Sequence, residues 1–149
     1  MSYYLLIGAL IILLLLLLFL SQLKFEKRKL VLEDKNGKKI ELQVEIADNS
    51  FKRTLGLMFR SSLGENEGML FIFPDEKQRA FWMLNTKIPL DAIFFDSNRK
   101  VVEIIQMEPC VGLSCPSYPS KKAAKYVLEV NEGFAKRNNI TNNMIFKLF

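Results

Sequence analysis

The polar and apolar positions divide the chain in two before any motif is read. Residues 1–23 contain no charged side chain, whereas every Lys, Arg, Asp and Glu lies from Lys24 onward. Residues 3–20, with Tyr3 at one end and Leu20 at the other, form an unbroken apolar run at whose centre residues 13–18 are all leucine. As a helix this stretch is roughly 27 Å long, close to a hydrocarbon core of about 30 Å. Consecutive leucines cannot share one helix face, so its surroundings must be apolar all round. Tyr3 and Tyr4 suit a headgroup interface at one end, and Lys24, Lys27, Arg28 and Lys29 suit the other. The start lacks the basic residues of a signal peptide, and Ser21-Gln22-Leu23-Lys24 offers no small-residue cleavage pair. We therefore expect a retained transmembrane anchor over 1–23, a basic tether over 24–29 and a single β domain over 30–149.

Beyond the tether the dominant period is two. In Ile40-Glu41-Leu42-Gln43-Val44-Glu45-Ile46 the aliphatic residues point one way and the polar ones the other, as in a strand with one wet face. Leu30-Val31-Leu32 precedes it across Lys35-Asn36-Gly37-Lys38. Asn-Gly supplies the positive φ of a tight hairpin turn. The period changes over 48–58, where Phe51, Leu55 and Met58 fall at helical spacing behind Asp48 as a candidate N-cap. Met69-Leu70-Phe71-Ile72-Phe73 is apolar without alternation and is expected to be a strand buried on both faces that stops at Pro74. Further strands are expected over 79–84, 92–95, 101–105, 126–130 and 144–148. The turn Asp96-Ser97-Asn98-Arg99 joins two of them, and a helical turn or two falls over 132–138. The fold class is mainly β: a small antiparallel sandwich or barrel with one or two short helices, preceded by one transmembrane helix.

Composition narrows the chemistry. The chain has 149 residues, net charge +5 and no histidine. Without imidazole there is no Ser-His-Asp or Cys-His pair and no His-based zinc site. No GxSxG, GxGxxG or P-loop is present, and nothing calls for a cofactor or a metal. The positive charge does not point to nucleic acid, because basic residues alternate with acidic ones. The juxtamembrane cluster fits anionic headgroups better. Carboxylates remain as acid–base groups, namely Asp91, Glu103, Glu108 and Glu129. The alternation around Leu128 reads Glu129 as solvent-exposed. Asn139-Ile140-Thr141 is a glycosylation triplet that matters only if the body is exported.

Three stretches carry a family likeness: Arg53-x-x-Gly56-Leu57-Met58-x-Arg60, then Gly68-Met69-Leu70-Phe71-x-Phe73, then Phe81-Trp82-Met83-x-Asn85-Thr86-x-Ile88-Pro89-Leu90-Asp91-x-Ile93-Phe94. With Tyr118-Pro119-Ser120 and Tyr126-Val127-Leu128-Glu129-Val130, they resemble domain of unknown function 192, also called uncharacterised protein family 0127. The resemblance covers roughly residues 44–140. It implies a small mainly-β domain, often behind a signal or anchor, and brings no assigned activity or catalytic residues.

The Trp-centred stretch is the best site candidate on chemistry. Trp82 offers an aromatic platform, and Asn85, Thr86 and Asp91 add amide, hydroxyl and carboxylate groups nearby. With Arg60 and Tyr118 they make the ligand-binding set. The bland alternative is a core tryptophan followed by a turn that caps the next strand. Arg60 is expected either to pair with Asp91 or to hold an anion, and Arg53 to be an exposed helix residue. Cys110 and Cys115 share a Gly- and Pro-containing loop. A bridge, two free thiols, or metal or redox chemistry are the readings open to them. A bridge places the body outside the cytoplasm, whereas the basic flank argues for the inside.

Two functions follow. The leading expectation is a non-catalytic binding or assembly module on the membrane, single-pass and with an extracytosolic body. Its partners would be the bilayer through residues 3–20 and a small molecule or envelope protein. The alternative is a carboxylate-dependent hydrolase or lyase acting on sugars or cell-envelope material, with Asp91 as base and Arg60 clamping an anion.

Overall fold

The computed structural model describes residues 2–22, 24–112 and 114–149. Met1 and Leu23, the two ends of the expected anchor, lie outside the described residues. So do the side chains of Ser2, Leu5 and residues 16–22. The leader is helix α1, Ser2–Gln22. Its described side chains, from Tyr3 to Leu15, are exposed on every side apart from half-buried Gly8. Among the described residues, no helix is long and apolar enough to cross a membrane.

The body is built on seven strands: β1 (Lys27–Glu33), β2 (Lys39–Ala47), β3 (Glu67–Trp82), β4 (Leu90–Phe95), β5 (Val101–Met107), β6 (Ser117–Asn131) and β7 (Ile145–Leu148). Two short helices, α2 (Ser50–Leu55) and α3 (Phe134–Arg137), interrupt them. The sheet order is β5-β4-β6-β3-β2-β1-β7. The Asn36-Gly37 hairpin forms as its sequence dictates. Gly37 takes φ +81°, and the Asp34 carboxylate accepts from the Asn36 and Lys38 amides at 2.8 and 2.9 Å. The turn between β4 and β5 is likewise built by Asp96, whose carboxylate accepts from Lys100 N, with Arg99 at φ +63°.

The architecture corrects the expectation in three places. The sheet is mixed, because β2 and β3 run parallel, Val44 opposite Gly68 and Ala47 opposite Phe71. Parallel neighbours need a crossover, and residues 48–66, carrying α2, supply it. Strand β3 does not stop at Pro74. Its pairing with β6 shifts register between Ile72 and Lys77, and Pro74 falls in that irregular stretch, where the missing amide breaks no regular ladder. The α2 cap is Asn49 rather than Asp48. Its side chain accepts from Lys52 N at 2.9 Å.

One face of the sheet gathers Leu32, Leu42, Leu70, Phe95, Leu128 and Phe146 with others into a single core. The rings of Phe95 on β4 and Phe146 on β7 lie 4.9 Å apart, although four strands of the sheet separate β4 from β7. The sheet therefore curls upon itself. Its outer strands meet where Lys100 bridges Ile145, and Val101 N donates to Met144 O at 3.0 Å. The opposite face holds a second core around Phe71, Phe81, Met83, Phe94 and Val127. The far halves of β3 and β6 lie over it, since Phe81 packs edge-on against both Phe71 (5.1 Å) and Phe94 (5.8 Å). Strand β4, the half of β6 paired with it and the adjoining half of β3 thus lose their wet face, and all six residues of β4 are buried.

Gly68 sits where β3 runs tight against β6. A Cβ there would stand 2.7 Å from the Glu129 carbonyl oxygen and 3.0 Å from Val130 Cγ1. Backbone cannot yield as a side-chain tip can. Gly68→Ala should cost about 1–3 kcal/mol of stability, read as a lowered urea midpoint with an unchanged slope.

A candidate ligand groove over Glu129

The groove follows from how the crossover and the folded-over strand meet. Helix α2 ends at Gly56, which takes φ +47°. A Cβ at this position would come 3.3 Å from the Phe71 ring, so the chain passes flat against the second core. Arg53 pins the helix from the side. Its Nη1 donates to the carbonyls of Asp48 (2.7 Å) and Ile72 (2.8 Å), and its guanidinium lies over Phe73 at 5.2 Å from the ring centroid. Between α2 and the far half of β3 runs an open groove walled by Phe71, Phe73, Phe81 and Trp82, with Ser50, Arg53 and Thr54 along its rim. Its deep end narrows between Gly56, Leu57, Thr86 and Glu129.

Glu129 is the chemical centre of this groove. It occupies the middle of β6, between Met69 on β3 and Ala92 on β4, and only 4% of it is exposed. Burial pushes its carboxyl up to about 8 from the usual 4.5, and no hydrogen bond or neighbouring charge offsets that effect. It therefore carries a proton at neutral pH and can donate. The reading of Glu129 as solvent-exposed is corrected. The signal was in the strand itself, because Val127 shares its side and Leu128 and Val130 take the other, which marks β6 as covered on both faces.

The other sequence candidates divide. Trp82 and Thr86 line the groove, Trp82 half exposed at 49% and Thr86 buried. Asn85 takes φ +54° beside it, and its carbonyl accepts from Phe59 N at 2.8 Å, tying the Leu84–Thr86 turn to the crossover just after α2. Arg60 pairs with Glu45 at 2.6 Å and not with Asp91. Asp91 lies on the opposite face of the sheet, 1% exposed. Its Oδ2 accepts from Ala135 N at 2.9 Å and so caps α3, while Oδ1 has no partner among the described residues. Trp82 and Asp91 thus do not share a pocket. Tyr118 pairs with Phe81 across the ladder, and its hydroxyl accepts from Glu108 N at 3.1 Å. Arg53, expected to be exposed, is half-buried and structural. Glu103 is also structural, its Oε2 accepting from Lys121 N and Lys122 N.

Cys110 and Cys115 are bridged, with Sγ–Sγ 2.11 Å and Cα–Cα 5.7 Å. Cys110 forms backbone bridges with both Leu84 and Thr86, so the stapled loop abuts the groove's inner wall. Among the described residues no cluster of acidic, Cys or His side chains is arranged to hold a metal ion.

Fold and groove together define a small curled β domain with an aromatic-walled groove. Residues 31–147 match the model of the DUF192 family, described as "Uncharacterized ACR". The chain is 35% identical over 112 residues to a UPF0127 protein of Pyrococcus abyssi, covering 72% of this chain and 86% of that one. It is 34% identical over 99 residues to one of Pyrococcus furiosus, covering 65% and 78%. Two solved structures share the fold at TM-score 0.75 and 31% identity. One, a putative transcription regulator from Sinorhizobium meliloti, is matched over 95% of its length and 84% of this chain. The other, a protein of unknown function from Novosphingobium aromaticivorans, is matched over 86% of its length and 83% of this chain. This chain belongs to the DUF192 (UPF0127) family.

The proton on Glu129 makes stability depend on pH. Between about 4.5 and about 8 the folded state holds a proton that the unfolded state has released. The contribution is fully present below about 4.5 and is lost as pH rises through about 8. Glu129→Gln should remove this slope. Urea midpoints taken across that window should fall with rising pH in the parent chain and stay level in the variant.

Proposed function

We propose that the chain is a membrane-anchored, non-catalytic binding module that takes a small molecule in the groove beneath Trp82. The observation that carries the reading is Glu129, a carboxyl only 4% exposed that lines the narrow end of an aromatic-walled groove, where burial raises its proton affinity. Burying such a group is costly unless a hydrogen-bond partner meets it, and large apolar grooves with a few convergent polar groups are the usual form of ligand sites. Gly56, Leu57, Phe71, Trp82 and Thr86, all from the stretches that carry the family likeness, line this one groove.

The anchor rests on the sequence of residues 1–23, which carry no charge, and on the exposed apolar side chains of α1. A bilayer would cover them. The Cys110–Cys115 bridge favours an oxidising compartment, hence a body outside the cytoplasm. The basic flank argues the other way, but Lys27, Arg28 and Lys29 belong to β1, where they meet Glu67 (3.6 Å), Glu26 (2.8 Å) and Glu41 (2.8 Å). The same interleaving speaks against nucleic acid, despite the name of the Sinorhizobium protein. Lys77 and Arg79 share Asp75, and Lys147 meets Glu33. The carboxylate-enzyme alternative lacks its pairing here, because Asp91 and Glu129 lie on opposite faces of the sheet and Arg60 is held by Glu45.

Native mass spectrometry of the full-length chain released from membranes should show a bound small mass, lost in Trp82→Ala and retained in Asp91→Ala. Retention of that mass in Trp82→Ala would move the site elsewhere. Orientation has its own measurement. A membrane-impermeant maleimide should label intact cells only after a reductant has opened Cys110–Cys115. Labelling that needs lysis and ignores the reductant puts the body inside.

A further inference from the structure

We propose that Glu129 recognises a neutral carbonyl oxygen, and that the groove takes a flat, uncharged carbonyl compound of the aromatic amide or ketone type. The inference rests on the groove being a ligand site and adds the class of ligand.

Shape comes first. The deep end encloses a cavity volume of about 20 Å³, room for one water-sized group, whereas the outer groove offers about 310 Å³. An occupant therefore has a slim polar tip and a broader body. The walls that meet the body are Phe71, Phe73, Phe81 and the half-exposed Trp82, which favour a flat apolar ring. The tip meets Glu129 and Thr86.

Charge then selects the tip. Glu129 lies between Met69 and Ala92, and no basic group touches it. Arg53 is the other charged residue along the groove, and its Nη1 is committed to two backbone carbonyls. Glu45, beyond Met69 on β2, is held by Arg60. An ammonium tip would require Glu129 to ionise in the middle of a covered sheet. Ion pairs in such surroundings often fail to recover their desolvation. A carboxylate tip would bury a charge whose one cation along the groove, Arg53, already has Nη1 committed to two backbone carbonyls. A carbonyl oxygen asks only for a donor, and a protonated carboxyl in an apolar site is one. Binding then changes no charge, and the one-atom tip fits the narrow end.

Trp82 is the chain's single tryptophan, so its fluorescence reports the groove alone. The full-length chain in detergent micelles should be titrated with benzamide, benzylamine and benzoate, three single-ring probes that differ in the polar tip. Benzamide should bind at least about tenfold more tightly than the other two, the value of one well-made hydrogen bond. Glu129→Gln, which still donates, should keep its affinity within about threefold, and Glu129→Leu should lose about tenfold or more. Affinity for benzamide should be level from about pH 5 to about pH 7, then fall above about pH 8 in the parent chain and not in Glu129→Gln. Tightest binding by benzylamine, strengthening as pH rises, overturns the proposal. So does parent-like benzamide binding by Glu129→Leu. In both cases the groove still binds, and the broader reading survives. If Glu129→Leu fails to fold, as judged by circular dichroism, the Gln variant and the pH profile decide. If no probe perturbs Trp82, the groove reading falls and takes this inference with it.

Discussion

Residues 127–130 of strand β6 are covered on both faces, and the other features of the body follow from that. One side of it, Leu128 and Val130, faces the core around which the sheet curls. The other side, Ala124 and Val127, lies under the folded-over half of β3. This stretch has no broad solvent side on which to place a polar residue, so the carboxyl at position 129 is buried at the narrow end of the groove. The raised proton affinity of Glu129 and the aromatic walls of the groove are two results of stacking a second layer on the outside of a curled sheet.

That second layer depends on the irregularity between Ile72 and Lys77. An unbroken β3 would run straight past the end of the sheet. The register shifts let it bend, so that Phe81 returns over Phe71 and Phe94. The stretch is held from outside by cations on one ring. Arg53 lies over Phe73 at 5.2 Å and Arg79 at 4.1 Å from its centroid, and Arg79 also donates to the Asp75 carboxylate and carbonyl. Helix α2 and the bend are therefore fastened at the same place, which fixes the groove's two walls relative to each other.

Much of this was legible residue by residue. The alternation in Ile40 to Ile46, the Asn36-Gly37 turn, the Asp96 turn and the unalternating run at Met69 each gave the element that forms, because each is decided by neighbours in sequence. Seven strands and two short helices in the body match the mainly-β reading. What sequence did not give was decided by partners far along the chain. The parallel β2–β3 pairing depends on where the crossover lands. The fate of Asp91 depends on α3, 44 positions away. Alternation on the Leu128 side alone suggests a wet face for Glu129, but Val127 on the same side as Glu129 excludes one. Of the site, Trp82 and Thr86 could be picked out by chemistry, whereas Arg53 and Glu129 needed the fold.

The seam of the sheet carries a consequence for the order of assembly. Strand β7 lies between β1 and the Lys100 bridge, so the body's first strand and its final strand are neighbours. A polypeptide leaving the ribosome can form the β1–β2 hairpin early, but it cannot zip shut until residues 145–148 emerge. Pairings between such distant parts are slow to form. During that interval Leu30, Leu32 and Leu42 have no lid, and the nascent chain spends its most adhesive phase already tied to its own greasy leader.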